Sequence, residues 1–145
     1  MKVNSHKLVR GSLPKNVATI DRPPSQLFVS GQPLDSWIDL PKVAIVGSRK
    51  MTTYGQYVTN LFSSKLAAAG VVIISGLAYG VDAAAHKAAL DVGGITVAVL
   101  PTSVSSIYPA AHRNLANQIM NQGSLISEYA PMTRYIKLTL RIATD

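Results

Sequence analysis

Short apolar runs alternate with longer stretches of helical periodicity along most of this chain. Residues 43–46, 71–74 and 95–100 are almost unbroken runs of Val, Ala, Ile and Leu, and Leu125-Ile126 lies in a fourth, shorter run. Runs of this length between turn residues mark strands buried on both faces, so strands are expected at 43–47, 71–76, 95–100 and 124–129. Between the first two, Val58, Leu61, Phe62 and Leu66 recur at helical spacing. Thr53 and Gln56 are placed as a capping box there and Gly70 as a stop, predicting a helix over 54–69. Residues 81–94 predict an alanine-rich helix that ends at a glycine pair. Residues 109–123 predict a third helix, with Pro109 at its start and Gly123 past its end.

Strand and helix in strict alternation imply a parallel sheet with right-handed crossovers. The expected fold is α/β, Rossmann-like, with helices on both faces of the sheet. Upstream, Pro23-Pro24 forbid a helix, and residues 26–30 read as a short strand closed by Gly31. Residues 1–15 read as a basic, irregular arm, and residues 32–41 as a connection ending at Pro41. The expected organisation is an arm (1–15), one Rossmann-like domain (16–132) and a divergent tail (133–145).

Composition narrows the function. With 145 residues, 48% of them hydrophobic, the chain can bury the core of one domain. It has no cysteine, which removes disulfides, thiolate nucleophiles and zinc–cysteine sites and fits a reducing compartment. No apolar run reaches membrane-spanning length and no secretory pattern opens the chain, so a cytoplasmic location is expected. The net charge is +7. Lys2, Lys7, Arg10, Lys15 and Arg22 crowd the first segment. Between residues 43 and 128 the bases Arg49, Lys50, Lys65, Lys87 and Arg113 face only Asp82, Asp91 and Glu128. Such a balance favours polyanionic partners, although on charge alone a solvated face plus a basic tail is the preferred reading.

Parallel sheets bind ligands beyond the carboxyl ends of their strands. Four loops meet there: 47–53, 76–80, 101–108 and the stretch after Tyr129. In the first, Gly47 permits close backbone approach, Ser48 supplies a hydroxyl, Arg49 offers a planar fork for phosphate oxygens and Lys50 adds charge. The next helix aims its N-terminal N–H groups at the same place. In the second loop, Gly76 and Gly80 bracket Leu-Ala-Tyr; neither a dinucleotide fingerprint nor a Walker lysine is present. Tyr79 can stack on a base or simply pack, and Asp82 suits the start of a helix. The third loop carries Ser106 and Tyr108 among other hydroxyls. Catalytic constellations are thin. His86 reads as a packed helical residue, His112 opens the third helix, and Glu128 stands without a second carboxylate nearby in sequence. No metal cluster or nucleophile elbow is evident, and no cofactor is expected.

In one collinear order the chain carries "PPSQLFVSG", "VAIVGSR", "YG", "SGLAYGVD", "AAHKAAL", "GGITVAVLP", "IYPAAHRNLA" and "GSLISEY". This set resembles the DNA-processing protein A family, DprA/Smf, from about Pro14 to Met132. The resemblance implies an extended Rossmann fold, with the preceding strand as the extension. It implies a non-enzymatic protein that binds single-stranded DNA, protects it during natural transformation and loads the RecA recombinase on it. It further implies a homodimer in the complete protein. Carried over by motif, Gly47-Ser48-Arg49 is the family's phosphate-binding turn, with Lys50 beside it. Ser75, Gly76 and Gly80 sit in the second glycine loop, and Ser106, Tyr108 and Arg113 in the stretch flanking the DNA pocket.

The departures are specific. Tyr79 stands where many members have arginine, and His112 where asparagine is common. The family's variable N-terminal helical and C-terminal winged-helix domains are not seen. After Met132 the family's F-x-x-R-N-R segment is replaced by "TRYIKLTLRIATD", so the C-terminal part of the fold is expected to be missing. A reverse translation of residues 134–145, read from its third base, can yield V-Y-K-A-N-F-T-N-R-N-R. The tail thus reads as an out-of-frame ending of a truncated DprA-like chain. The alternatives are a nucleotide-handling enzyme of the phosphoribohydrolase-like Rossmann group, whose P-G-G-x-G-T-x-x-E signature is absent, and a non-functional truncated remnant.

Overall fold

The computed structural model describes residues 5–131. Six strands form one sheet: β1 (Ser5–Val9), β2 (Gln26–Gly31), β3 (Lys42–Ala44), β4 (Val72–Ser75), β5 (Thr96–Val99) and β6 (Ser124–Ser127). Their spatial order is β1-β2-β6-β5-β4-β3. The pairs β3–β4, β4–β5 and β5–β6 are parallel, whereas β2 pairs antiparallel with both β6 and β1. The helices are α1 (Lys15–Ala18), α2 (Thr53–Ala68), α3 (Val81–Asp91) and α4 (Arg113–Gln122). The crossovers β3-α2-β4, β4-α3-β5 and β5-α4-β6 step the same way across the sheet. Right-handed crossovers stepping one way leave their helices on one face.

The cores agree with that rule. Ile73, Ala98, Leu125 and Phe28 point to one face, where they pack with Ala67 of α2, Ala85 and Ala89 of α3, and Leu115, Ala116 and Ile119 of α4. Leu27, Val29, Val72 and Val97 point to the other. There Leu13, Leu34, Trp37 and Ile38, with Val17 and Ala18 of α1, cover them. Trp37 is buried, and its indole N–H donates to Ser124 Oγ at 2.8 Å, so the ring's polar end is satisfied inside the core. The α/β, Rossmann-like sheet with helices on both faces is therefore present, although among the described residues the second face is served by the short α1 and the 3-10 turn Leu34–Ser36.

Several expectations need correction. Part of the expected irregular arm is strand β1, paired with β2 from Ser5↔Ser30 to Val9↔Gln26. Its side chains are mostly exposed, so the ladder rather than an apolar pattern defines it, and periodicity cannot reveal it. The cap of α2 is Thr52, whose Oγ1 accepts from Gly55 N at 2.9 Å; the Thr53–Gln56 box does not form. The buried face of α2 is Thr59, Ser63 and Ala67, while Phe62 is 56% exposed and Tyr54 and Tyr57 are exposed as well. Small residues win that face because α2 lies close against alanine-rich α3. The third helix begins as a 3-10 turn, Ala110–His112, before α4. The reading of residues 133–145 lies outside the described residues.

Candidate nucleic-acid interface

Strand β3 ends early, and Ile45 N still donates to Ile74 O at 2.9 Å before the chain leaves the sheet. Gly47, Ser48, Arg49 and Lys50 then form an exposed turn at the carboxyl edge. Lys50 N donates to Ser48 Oγ at 3.0 Å, and Val81 N donates to Ser48 O at 3.1 Å. The turn is thus tied to the first residue of α3. Contact is close enough to dictate glycine on both sides. A Cβ on Gly47 would stand 2.9 Å from Val81 Cγ2. A Cβ on Gly80, whose φ is +79°, would collide with Ser48 O and stand 2.7 Å from Arg49 O.

The second loop spends its polar groups internally. Ser75 is buried, and its hydroxyl donates to Ile45 O at 2.6 Å. Gly76 N donates to Asp82 Oδ2 at 3.0 Å, so buried Asp82 does more than favour the helix dipole. Leu77 is fully buried with φ +62°, and its carbonyl lies 2.7 Å from His112 Nδ1. A carbonyl only accepts, which makes Nδ1 of His112 the protonated nitrogen. Tyr79, half exposed, meets the His112 ring edge-to-face at 4.9 Å and 63°.

In the third loop Ser106 is exposed and its N–H donates to Ser103 O at 3.0 Å. Tyr108 is 54% exposed, and Arg113 is exposed where α4 begins. These residues share an edge with the turn. A separate groove of about 510 Å³ runs from that edge between α2 and α3, and it includes Tyr79 and Gly80 but none of Arg49, Ser106, Tyr108 or Arg113. Sequence reasoning missed its other walls, notably Gln56, Asn60 and Lys87. The available signal was the pair of amides four residues apart on the predicted helix. The sequence placed His112 only at the opening of the third helix, yet that ring lines the groove's mouth with Tyr79.

The catalytic candidates separate. Glu128 is exposed just past β6. His86 is fully buried; its Nδ1 lies 2.6 Å from Thr96 Oγ1, which itself donates to Ile73 O at 2.8 Å. Burial, with the neighbouring His112 as the lesser cause, pushes the His86 imidazole down from 6.5 to about 3. It is a neutral core residue far from the solvent. Among the described residues no group of three or more His, Asp or Glu is arranged to hold a metal ion. No helix among them is long and apolar enough to cross a membrane.

Comparison with known proteins gives this architecture its relatives. The family model of DNA recombination-mediator protein A matches residues 7–141. Protein Smf of Escherichia coli K12 is 44% identical over 119 residues, which cover 80% of this chain and 30% of that protein. The DNA processing protein DprA of Streptococcus pneumoniae is 38% identical over 140 residues, 94% of this chain and 47% of that protein. Its X-ray structure matches with a TM-score of 0.80. The DNA processing protein A of Helicobacter pylori, solved for its single-stranded DNA binding mode, matches with a TM-score of 0.81 and 33% identity, over 93% of this chain and 60% of that one. The chain thus spans less than half the length of either curated relative. With nearly all of its residues inside one family model and its structure matching solved members at TM-scores of 0.80 and 0.81, the chain belongs to the DNA recombination-mediator protein A family, the group of the DprA and Smf proteins.

Proposed function

We propose that this chain binds single-stranded DNA, with its phosphates on the turn Gly47-Ser48-Arg49-Lys50. The observation that carries this reading is an exposed Arg49-Lys50 pair on a turn whose backbone is held from behind by Val81 N and by the absent side chain of Gly80. A cationic turn fixed in advance loses little entropy when a phosphate arrives. Tyr79 and Tyr108 at the same edge supply ring faces for unpaired bases, with Ser106 and Arg113 flanking. Ser75 and Gly76 serve as supports, since their donors are already committed to Ile45 O and Asp82. The single-stranded DNA binding of the Helicobacter pylori relative supports the same assignment.

We extend the proposal to the family role: a cytoplasmic protein that acts without catalysis, protects incoming DNA in transformation, loads RecA recombinase on it and works as a homodimer. The exposed position of Glu128 and the committed carboxylate of Asp82 favour binding over hydrolysis. The test is fluorescence anisotropy of a labelled single-stranded oligonucleotide over a salt series, with the matching duplex as competitor. Binding should weaken along a straight log–log line with salt, and the duplex should compete poorly. Salt-independent binding, or no preference for single strands, would defeat the reading. Release of free base from nucleoside monophosphates, lost in Glu128→Ala, would replace it with the nucleotide-enzyme alternative.

A further inference from the structure

We propose that the groove between α2 and α3 is a nucleobase site. It accepts one nucleotide of the strand whose phosphate lies on the 47–50 turn, the amides of Gln56 and Asn60 pairing with the base edge. The inference rests on the DNA-binding reading above and adds a subsite to it.

The groove opens at the edge that carries the turn, since Gly80 lines its mouth and also backs onto Ser48 and Arg49. Its volume of about 510 Å³ falls within the roughly 300–1,000 Å³ of small-ligand sites. Ala83, Ala84 and Ala88 form the floor. Methyl groups alone leave a shallow apolar surface on which a planar ring can lie. Gln56 and Asn60 stand four residues apart on α2 and so share one face of the helix. Both are exposed, and among the described residues no partner holds either side-chain amide. Each amide offers donors and an acceptor, the complement of a base edge that is unpaired in a single strand.

Charge orders the groove along its length. Lys87 lies on the α3 wall one turn nearer the mouth than Asp91. A backbone phosphate is therefore attracted toward the mouth and repelled at the far end, where Asp91 and Val92 close the groove. A neutral base fits the interior, and the backbone stays with Arg49 and Lys87.

Two double variants test this: Gln56→Ala/Asn60→Ala, and Gln56→Met/Asn60→Leu, which keeps side-chain bulk and helix propensity while removing both amides. Both positions are exposed, so thermal melts should match the parent chain. The ligands are a mixed-sequence single strand and an abasic strand of equal length. Each variant should bind the base-bearing strand roughly tenfold more weakly, as expected for two neutral hydrogen bonds, with an unchanged salt slope. Parent and variants should bind the abasic strand alike. Unchanged affinity for the base-bearing strand would overturn the inference, as would an equal loss on both strands. Arg49→Ala separates the two levels. If it weakens both strands while the amide variants do nothing, the groove is wrong and the turn stands. If the parent chain binds neither strand, the DNA-binding reading fails and the groove falls with it.

Discussion

The two glycine-bearing loops at the carboxyl edge of the sheet look alike in sequence and behave as opposites. The 47–50 turn holds its side chains in solvent, whereas the 75–82 segment turns its polar groups inward. Ser75 secures the exit of β3 through Ile45 O, Asp82 secures Gly76, and Leu77 O anchors His112. Gly80 provides the seat on which the first turn rests. One loop is the contact surface and the other its foundation. The lesson is that a polar residue at a ligand edge is not by that fact a ligand-binding residue; what its hydrogen bonds are already committed to decides.

The contrast is sharpest at Gly80. Gly80→Val should displace the turn and destabilise the fold by about 3 kcal/mol, because the new side chain meets backbone at a glycine-only φ. Urea denaturation and DNA anisotropy should both register it. A variant with parental stability would dissolve the distinction between surface and foundation.

Acid should attack the foundation next. The unfolded chain protonates histidine near 6.5, while folded His86 does so only near 3. Between those values the unfolded state binds more protons, so stability present above pH 6.5 is lost as pH falls toward 3, by up to about 1.4 kcal/mol per pH unit. His86→Leu should flatten that slope in pH-resolved denaturation, although losing the Thr96 contact costs about 1 kcal/mol at neutral pH. An identical slope in parent and variant would assign the acid sensitivity elsewhere.

Asp82→Ala should cost about 2 kcal/mol by leaving the Gly76 N–H without its acceptor, and Asp82→Asn should recover part of it. Equal melting temperatures for Asp82→Ala and the parent would show that this hydrogen bond is not part of the support. Arg49→Ala sits at the other extreme. Its stability should change by no more than about 0.5 kcal/mol, since the side chain is exposed, while the salt slope for single-stranded DNA falls by about one contact. A stability loss comparable with that of Asp82→Ala would make Arg49 part of the foundation.

Local pattern by itself determined the alternation of β3 to β6 with α2 to α4, the turn at 47–50 and the family. Those features depend on runs of apolar residues, helix-stopping glycines and motif order, all read within a few residues of one another. Strand β1 was illegible because an edge ladder is made by backbone pairing with β2, not by its own side chains. The buried face of α2 was misread for a related reason. Phe62 was the stronger apolar signal, but the closeness of α3 admitted only Thr59, Ser63 and Ala67. At the site, sequence could name Ser75 and Tyr79 as neighbours in one loop. Only the tertiary structure decided that Ser75 is spent on Ile45 O while Tyr79 stays exposed at the mouth of a groove. Hydrogen bonds between residues distant in sequence, and the space between two helices, are properties of packing, and no local window contains them.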